Sequence, residues 1–496
     1  THDKDRGIRS YFWAEDSQHL LYVQDKGGNE NWRLYGLDIQ SGAIKDYTPF
    51  DTVQTQIVQK DKHHPNSLLI ALNKDNPQLH DVYRLDLSSG TLDKVAENPG
   101  NIVGWVSDAN LSVRAAVAAQ PDGSMHLLYR EHAESPWETL MEWEMEDSLN
   151  SSPSHFSKEG SVLYLLNSKG ANATQLTAFD LNTREEKVLA ADEQYDISGV
   201  FVDGDTYTVQ AANFNRARSE WEILDPAIAK DFAFLTAYNR GDFTLINRDN
   251  DNTTWLVAFE FDNAPAEYYV YHRGEQTLEF LFVHNSALAD YTLAEMEPMS
   301  YTTRDGLTVH GYITYPVGLE RQNLPMVLYV HGGPWWRDEW GYDPNAQWLA
   351  NRGYVCLQVN YRGSTGYGKT FLNAGDREWG GKMHDDLIDA VNWAVQHGGV
   401  DPERVAHRVG DAHRRRHAVA LADALGAQRR ERRRRRYVVQ LGRRDFTDRG
   451  RQVIGEGAGQ ELAVVAVNEL LHQRTAHAPG EGAVGLAVFE QRIEDG

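Results

Sequence analysis

A β-propeller followed by an α/β domain whose later half is altered is the fold this sequence predicts, and three observations lead to it. One phrase, an apolar and aromatic strand closing in Asp and a turn, returns every 45 to 48 residues across the first part of the chain. From about residue 296, buried strands alternate with helix-like segments. From Arg404 onward the composition changes abruptly.

The repeat comes first in the chain. "LYGLDIQSG" from Leu34, "VYRLDLSSG" from Val82 and "LTAFDLNTR" from Leu176 place Asp38, Asp86 and Asp180 at equivalent points. "LLYREHAES" near Leu128 fits between them, and weaker copies follow near Trp221 and Tyr269. Copies are preceded by a second strand signal, as in "HLLYVQD", "SLLIALN" and "SVLYLLN". Paired strands joined by Gly, Asn and Asp turns make antiparallel sheets, and this period suits a four-stranded blade. We therefore expect an all-β propeller of six to seven blades over residues 1–290. A large β-sandwich is the simpler alternative, but sandwiches do not return one phrase at a fixed period.

The grammar then shifts. "MSYTTRDGLTVHGYITYP" reads as two alternating strands around an Asp305-Gly306 turn. "PMVLYV" and "YVCLQVN" are continuous apolar runs of the kind buried on both faces. A helix-like "NAQWLANRG" lies between them, and "MHDDLIDAVNWAVQHGG" sets Met383, Leu387, Val391 and Ala394 on one face with acids in its first turn. Such alternation predicts a doubly wound, mostly parallel sheet beginning at residue 291.

The first chemistry follows "PMVLYV", in the loop "HGGPWW". Two glycines after a buried strand let backbone N–H groups face a cavity, which is what a developing oxyanion requires. In isolation, His331 also reads as a strand end and Gly332-Gly333 as a turn. The position after an internal α/β strand favours the catalytic reading, because the oxyanion donors of α/β-hydrolases sit on the corresponding loop.

"HGGPW" (331–335), "NYRGSTGYG" (360–368) and "WGGKMHDDLIDAVNWAV" (379–395), in this order after a propeller, resemble the prolyl oligopeptidase family of serine peptidases, nearest its acylaminoacyl-peptidase and dipeptidyl-peptidase branches. The resemblance implies an α/β-hydrolase domain with a Ser-Asp-His triad that cleaves short peptides, covered by a propeller that limits substrate size. It places His331 and Gly332 at the oxyanion hole, with Gly333 beside them in the same loop. Trp335 and Trp336 are candidate cleft walls or ordinary packing aromatics. Ser364 lacks a glycine two positions earlier, since Arg362 stands there, and reads as part of a structural turn.

The family's nucleophile segment fails to appear. In the family, words like "DPERVA" lead through a strand into Gly-x-Ser-x-Gly, and counting from Arg404 puts those positions at Val409, Asp411 and His413. The nucleophile register thus falls on Asp411, and no catalytic residue is identifiable. No serine occurs after Ser364. Asp445, Asp448, His472 and His477 match a triad by residue type only. His407 and Arg408 stand where an interior strand normally buries apolar side chains. The domain is expected to be incomplete after about residue 404, with 291–405 its N-terminal half and 406–496 an aberrant tail not folded as in the family.

Composition points to the same break. From Arg404 to the end there are eighteen Arg, no Lys and twelve acids, a charge of +6, whereas the rest of the chain carries −29. That tail also lacks Ser, Trp, Met and Cys, and these changes together suggest an altered reading frame near residue 406. Its run "RRERRRRR" reads as a solvated charge run, since no aromatic interleaving or nucleic-acid module surrounds it. His413 and His417 share a helical spacing, but the intervening arginines repel a cation, so no metal is expected.

The functional expectation is serine-type peptidase action on short peptides, with activity of this particular chain lost. A non-catalytic propeller binding protein and an α/β-hydrolase esterase are the alternatives. No cofactor, nucleic-acid or membrane partner is expected, and the oligomeric state is not assigned. One cysteine excludes an internal disulfide, and the absence of a leader at Thr1 suggests a cytoplasmic location, or a periplasmic or secreted one if a signal peptide has been removed.

Overall fold

A computed structural model describes residues 7–409 together with a two-residue strand, Val438–Val439. Six consecutive antiparallel sheets, over 10–46, 55–96, 102–143, 152–190, 197–223 and 242–283, form a six-bladed propeller. Five have four strands and the fifth has three. After that blade comes a helix, Ala229–Tyr238, whose Phe232 and Leu235 pack into the aromatic core of the last blade around Trp255 and Phe259.

The repeated phrase has a local physical cause. Each copy ends or overlaps the third strand of its blade, namely Arg33–Asp38, Leu79–Asp86, Met125–Tyr129, Gln175–Asp180, Ser219–Ile223 and Glu267–His272. In three of them the Asp closes the hairpin to the fourth strand. Asp38 Oδ1 accepts the N–H of Ser41 at 2.7 Å, Asp86 Oδ1 that of Ser89 at 2.7 Å, and Asp180 Oδ1 that of Thr183 at 2.9 Å. Four residues after the Asp, the chain turns back through a left-handed residue: Gly42 (φ 72°), Gly90 (φ 82°) and Arg184 (φ 62°). A side-chain acceptor and a positive φ are what this turn demands, which is why Asp and usually Gly recur.

In the second domain, strands are numbered β1 Met296–Thr302, β2 Thr308–Thr314, β3 Leu324–Val330, β4 Val355–Asn360, β5 Val400–Val409 and β6 Val438–Val439; helices are α1 Pro344–Ala350, α2 Gly368–Asn373 and α3 Lys382–His397. The sheet order is β1-β2-β4-β3-β5-β6. β1, β2 and β4 pair antiparallel, and β4, β3, β5 and β6 pair parallel. The two apolar runs seen in the sequence are the central β3 and β4, and every residue of β4 is buried. Met383, Leu387, Val391 and Ala394 of α3 close one face of this core.

The strand after α3 runs through the compositional break to Val409, with Val405 to Val409 paired beside Met326 to Val330. Register explains the tolerance. Alternation turns Val405 and His407 to the buried side facing α3, while Arg408 points to the other face and sets its guanidinium 6.0 Å over the Tyr329 ring.

Candidate active site

The loop 331–338 leaves the C-terminal end of β3, the edge at which parallel sheets present ligands. Gly333 has φ 125°, and a Cβ there would lie 2.8 Å from the Trp335 nitrogen, so the tight path requires glycine. Among the described residues, the N–H groups of Gly332 and Gly333 meet no hydrogen-bond acceptor. Beside the loop lies a cleft of about 320 Å³ lined by Pro334, Trp335, Gly375, Asp376, Arg377 and Trp379. Trp335 thus walls a cleft; Trp336 is exposed but is not part of that lining.

His331 turns inward. Its ring is buried and stacks on Tyr361 with centroids 4.7 Å apart. Nδ1 lies 2.9 Å from the Gly332 carbonyl and Nε2 lies 3.0 Å from Ser364 Oγ, which itself donates to the Tyr361 carbonyl at 2.6 Å. Burial pushes the imidazole pKa down to about 4, so the ring is neutral at pH 7. The side chain locks the loop to the turn after β4, while the N–H groups of the two glycines stay without an acceptor among the described residues.

That turn is held from a third side. Arg362 is buried and forks onto Asp386 of α3, with Nε to Oδ2 at 2.8 Å and Nη2 to Oδ1 at 2.6 Å, while its Nη groups reach Asp305 at 2.9 Å. Asp386, then Asp305, hold the guanidinium proton more firmly than water does, against the cost of burial. The "YRG" and "HDD" words of the sequence are therefore one ion-pair knot joining the β1–β2 turn, the β4 exit and α3.

Sequence reasoning missed two further groups. Asp338 has its Oδ2 closed off from solvent and unpartnered among the described residues; burial pushes its pKa up to about 8. His384 on α3 is buried with both ring nitrogens unpartnered among the described residues, and it faces His407 of β5, whose pKa burial pushes down to about 4. Neither signal is legible without the fold, because each arises where segments far apart in sequence meet. Asp411, His413, His417, the arginine run at 429–436, Asp445, Asp448, His472 and His477 lie outside the described residues.

Comparison with known proteins bears on this arrangement. Residues 340–408 match the sequence profile of the prolyl oligopeptidase family, and the match ends within a few residues of the compositional break. The chain is 40% identical over 413 residues to dipeptidyl aminopeptidase BIII of Pseudoxanthomonas mexicana, spanning 82% of this chain and 60% of that protein. It is 29% identical to dipeptidyl peptidase family member 6 of Caenorhabditis elegans, with the same coverage of 82% and 60%. The chain thus spans three fifths of the length of these curated relatives. In fold it is similar to a puromycin-hydrolyzing peptidase of Mycobacterium tuberculosis, with a TM-score of 0.61 at 18% identity, covering 86% of this chain and 68% of that one. A Pyrococcus horikoshii acylaminoacyl peptidase is similar with a TM-score of 0.54 at 14% identity, covering 81% and 65%.

Proposed function

This chain belongs to the prolyl oligopeptidase family, and from that premise we propose that it is the propeller and leading half-domain of a serine peptidase that removes dipeptides from short peptides, in a form that lacks its nucleophile. The observation that supports the reading most is the loop at the end of β3, where the Gly332 and Gly333 N–H groups meet no acceptor among the described residues and the Pro334 and Trp335 that follow line a cleft. In such an enzyme a serine attacks the scissile carbonyl, these donors stabilise the oxyanion, and water releases the acyl group. Gly332 and Gly333 supply the donors, His331 anchors their loop, and the propeller restricts access.

The loss of activity rests on register. The nucleophile position falls on Asp411, which lies outside the described residues, and no serine follows Ser364. A carboxylate there has no hydroxyl to acylate. The test is a fluorophosphonate probe together with dipeptidyl chromogenic substrates: neither labelling nor turnover above background is expected. D411S alone should not recover either, whereas restoring Gly at 409, Ser at 411 and Gly at 413 with the family's downstream segments should recover both. Stoichiometric labelling of the unaltered chain would overturn the proposal. Reading the coding sequence around codon 406 in all frames tests the origin of the tail.

A further inference from the structure

Three consecutive carbonyls on one propeller turn are occupied by donors from the second domain. Arg337 donates from Nη1 to the Asn215 carbonyl at 2.7 Å and from Nη2 to the Arg216 carbonyl at 3.1 Å. Tyr312 donates its hydroxyl to the Ala217 carbonyl at 3.1 Å. This turn joins the second and third strands of the fifth blade, Val209–Asn215 and Ser219–Ile223.

Arg337 is enclosed on its other sides as well. Its guanidinium lies 4.4 Å from the Tyr367 ring centroid, and Tyr367 stacks in turn on His310 with planes 2° apart. Gly366 has φ 90°, and a Cβ there would lie 2.6 Å from Arg337 Nη1, so the space is reserved for the guanidinium. The side chain is only 6% exposed. A buried guanidinium is costly unless its donors are used; here Nε has no partner among the described residues, and both Nη groups are spent on the other domain.

The position of this residue in the chain gives the contact its meaning. Loop 331–338 is tied at its start by His331 to Ser364, inside the second domain. Near its end Arg337 is tied to the propeller, and between these anchors lie Gly332 and Gly333. We infer that Arg337 is a positioning residue that makes the geometry of the two glycine donors depend on the seating of the propeller turn 215–217. Displacing the propeller withdraws the far anchor of the loop, so domain closure and assembly of the oxyanion site are one event. The role in catalysis rests on the peptidase reading above, but the mechanical coupling does not.

Hydrogen exchange followed by mass spectrometry on the full chain tests the coupling without requiring activity. In R337M, exchange should rise about tenfold or more at the hydrogen-bonded amides of the loop, Trp336 on the Pro334 carbonyl and Asp338 on Asn360 Oδ1, and in peptides covering 215–218, while β4 peptides at 355–360 keep their protection. R337K, which retains one charged donor, should restore part of the protection in both places. Y312F removes one donor from the same turn and a neighbour of the guanidinium but leaves the Arg337 anchor in place, so it should loosen 215–218 and raise exchange in the loop far less than R337M does. The inference is overturned if R337M loosens only the propeller turn or neither segment, or if Y312F loosens the loop as much as R337M does. Should R337M lose protection at 355–360, R337K is read by the same rule: loop and turn must rise together relative to β4, and unchanged loop exchange overturns the inference. Absence of peptidase function in a repaired chain would leave these exchange results standing, so the two readings fail separately.

Discussion

His331 Nε2 and Ser364 Oγ stand 3.0 Å apart, the separation of a base and its nucleophile, yet the pair is built to hold a loop. Ser364 is completely buried and its hydroxyl lies 2.6 Å from the Tyr361 carbonyl. Three contacts join Gly332, His331, Ser364 and Tyr361, while a neutral ring and one hydroxyl supply two protons. A hydroxyl shared in this way, beside an imidazole whose proton affinity burial has lowered, is a poor nucleophile.

Replacing that serine separates the two roles. S364A should leave fluorophosphonate labelling at background, as in the unaltered chain, and should lower stability by about 1–3 kcal/mol, because buried acceptors lose a donor. Chemical denaturation and probe labelling read the two effects. Labelling that is present before the substitution and absent after it would make Ser364 a nucleophile.

Acid should weaken the fold through buried histidines. Burial pushes His155, His331 and His407 each down to about 4. In the unfolded chain an ordinary histidine takes its proton near pH 6.5, so between these values the unfolded state binds more protons. Stability is complete above about pH 6.5 and declines as pH falls toward 4, by up to roughly 3 kcal/mol per histidine. At His407 the facing His384 adds like-charge repulsion. H407V should flatten part of the acid limb of a stability-against-pH curve; an unchanged curve would show that the unfolded and folded protonation of His407 do not differ.

Asp338 acts in the opposite sense. With its pKa raised to about 8, the folded state keeps a proton that the unfolded state releases near pH 4, so this carboxyl costs stability as pH rises between those limits. D338N keeps the shape and removes the titration. Thermal melts should show the variant gaining on the parent at pH 8 and showing little or no gain at pH 4. Equal shifts at both pH values would count against the assignment.

The repeat itself offers a stabilising change. Arg184 holds φ 62° at the turn position where Gly42 and Gly90 stand in the first two blades. Its ion pair with Glu138 is on the surface, and its guanidinium lies 5.9 Å from the ring of the buried Tyr129. R184G should therefore raise stability by about 0.5–1 kcal/mol, the relief of left-handed strain exceeding a surface ion pair of small value. A melting temperature below the parent's would show that the surface contacts outweigh the strain.

Much of the architecture was legible along the chain because its causes are local. An Asp that accepts N–H groups two or three residues on, followed by a left-handed residue, marks a hairpin wherever it occurs, and three such neighbourhoods, with three weaker strand copies at a similar spacing, trace out the blades. The apolar runs of β3 and β4 read as interior strands because both faces are covered. The glycines after β3 could likewise be singled out, since a turn that forbids a Cβ leaves its mark in composition. What the sequence could not determine depends on atoms brought together across long separations. The inward turn of His331 requires Ser364, the fork of Arg362 requires Asp386 and Asp305, and the anchoring of Arg337 requires backbone carbonyls more than a hundred residues away in another domain. Backbone acceptors have no residue identity to read, and burial is a property of the assembled core. Only the tertiary structure therefore decided which histidine is neutral, which carboxyl keeps its proton and what holds the loop after β3 in place.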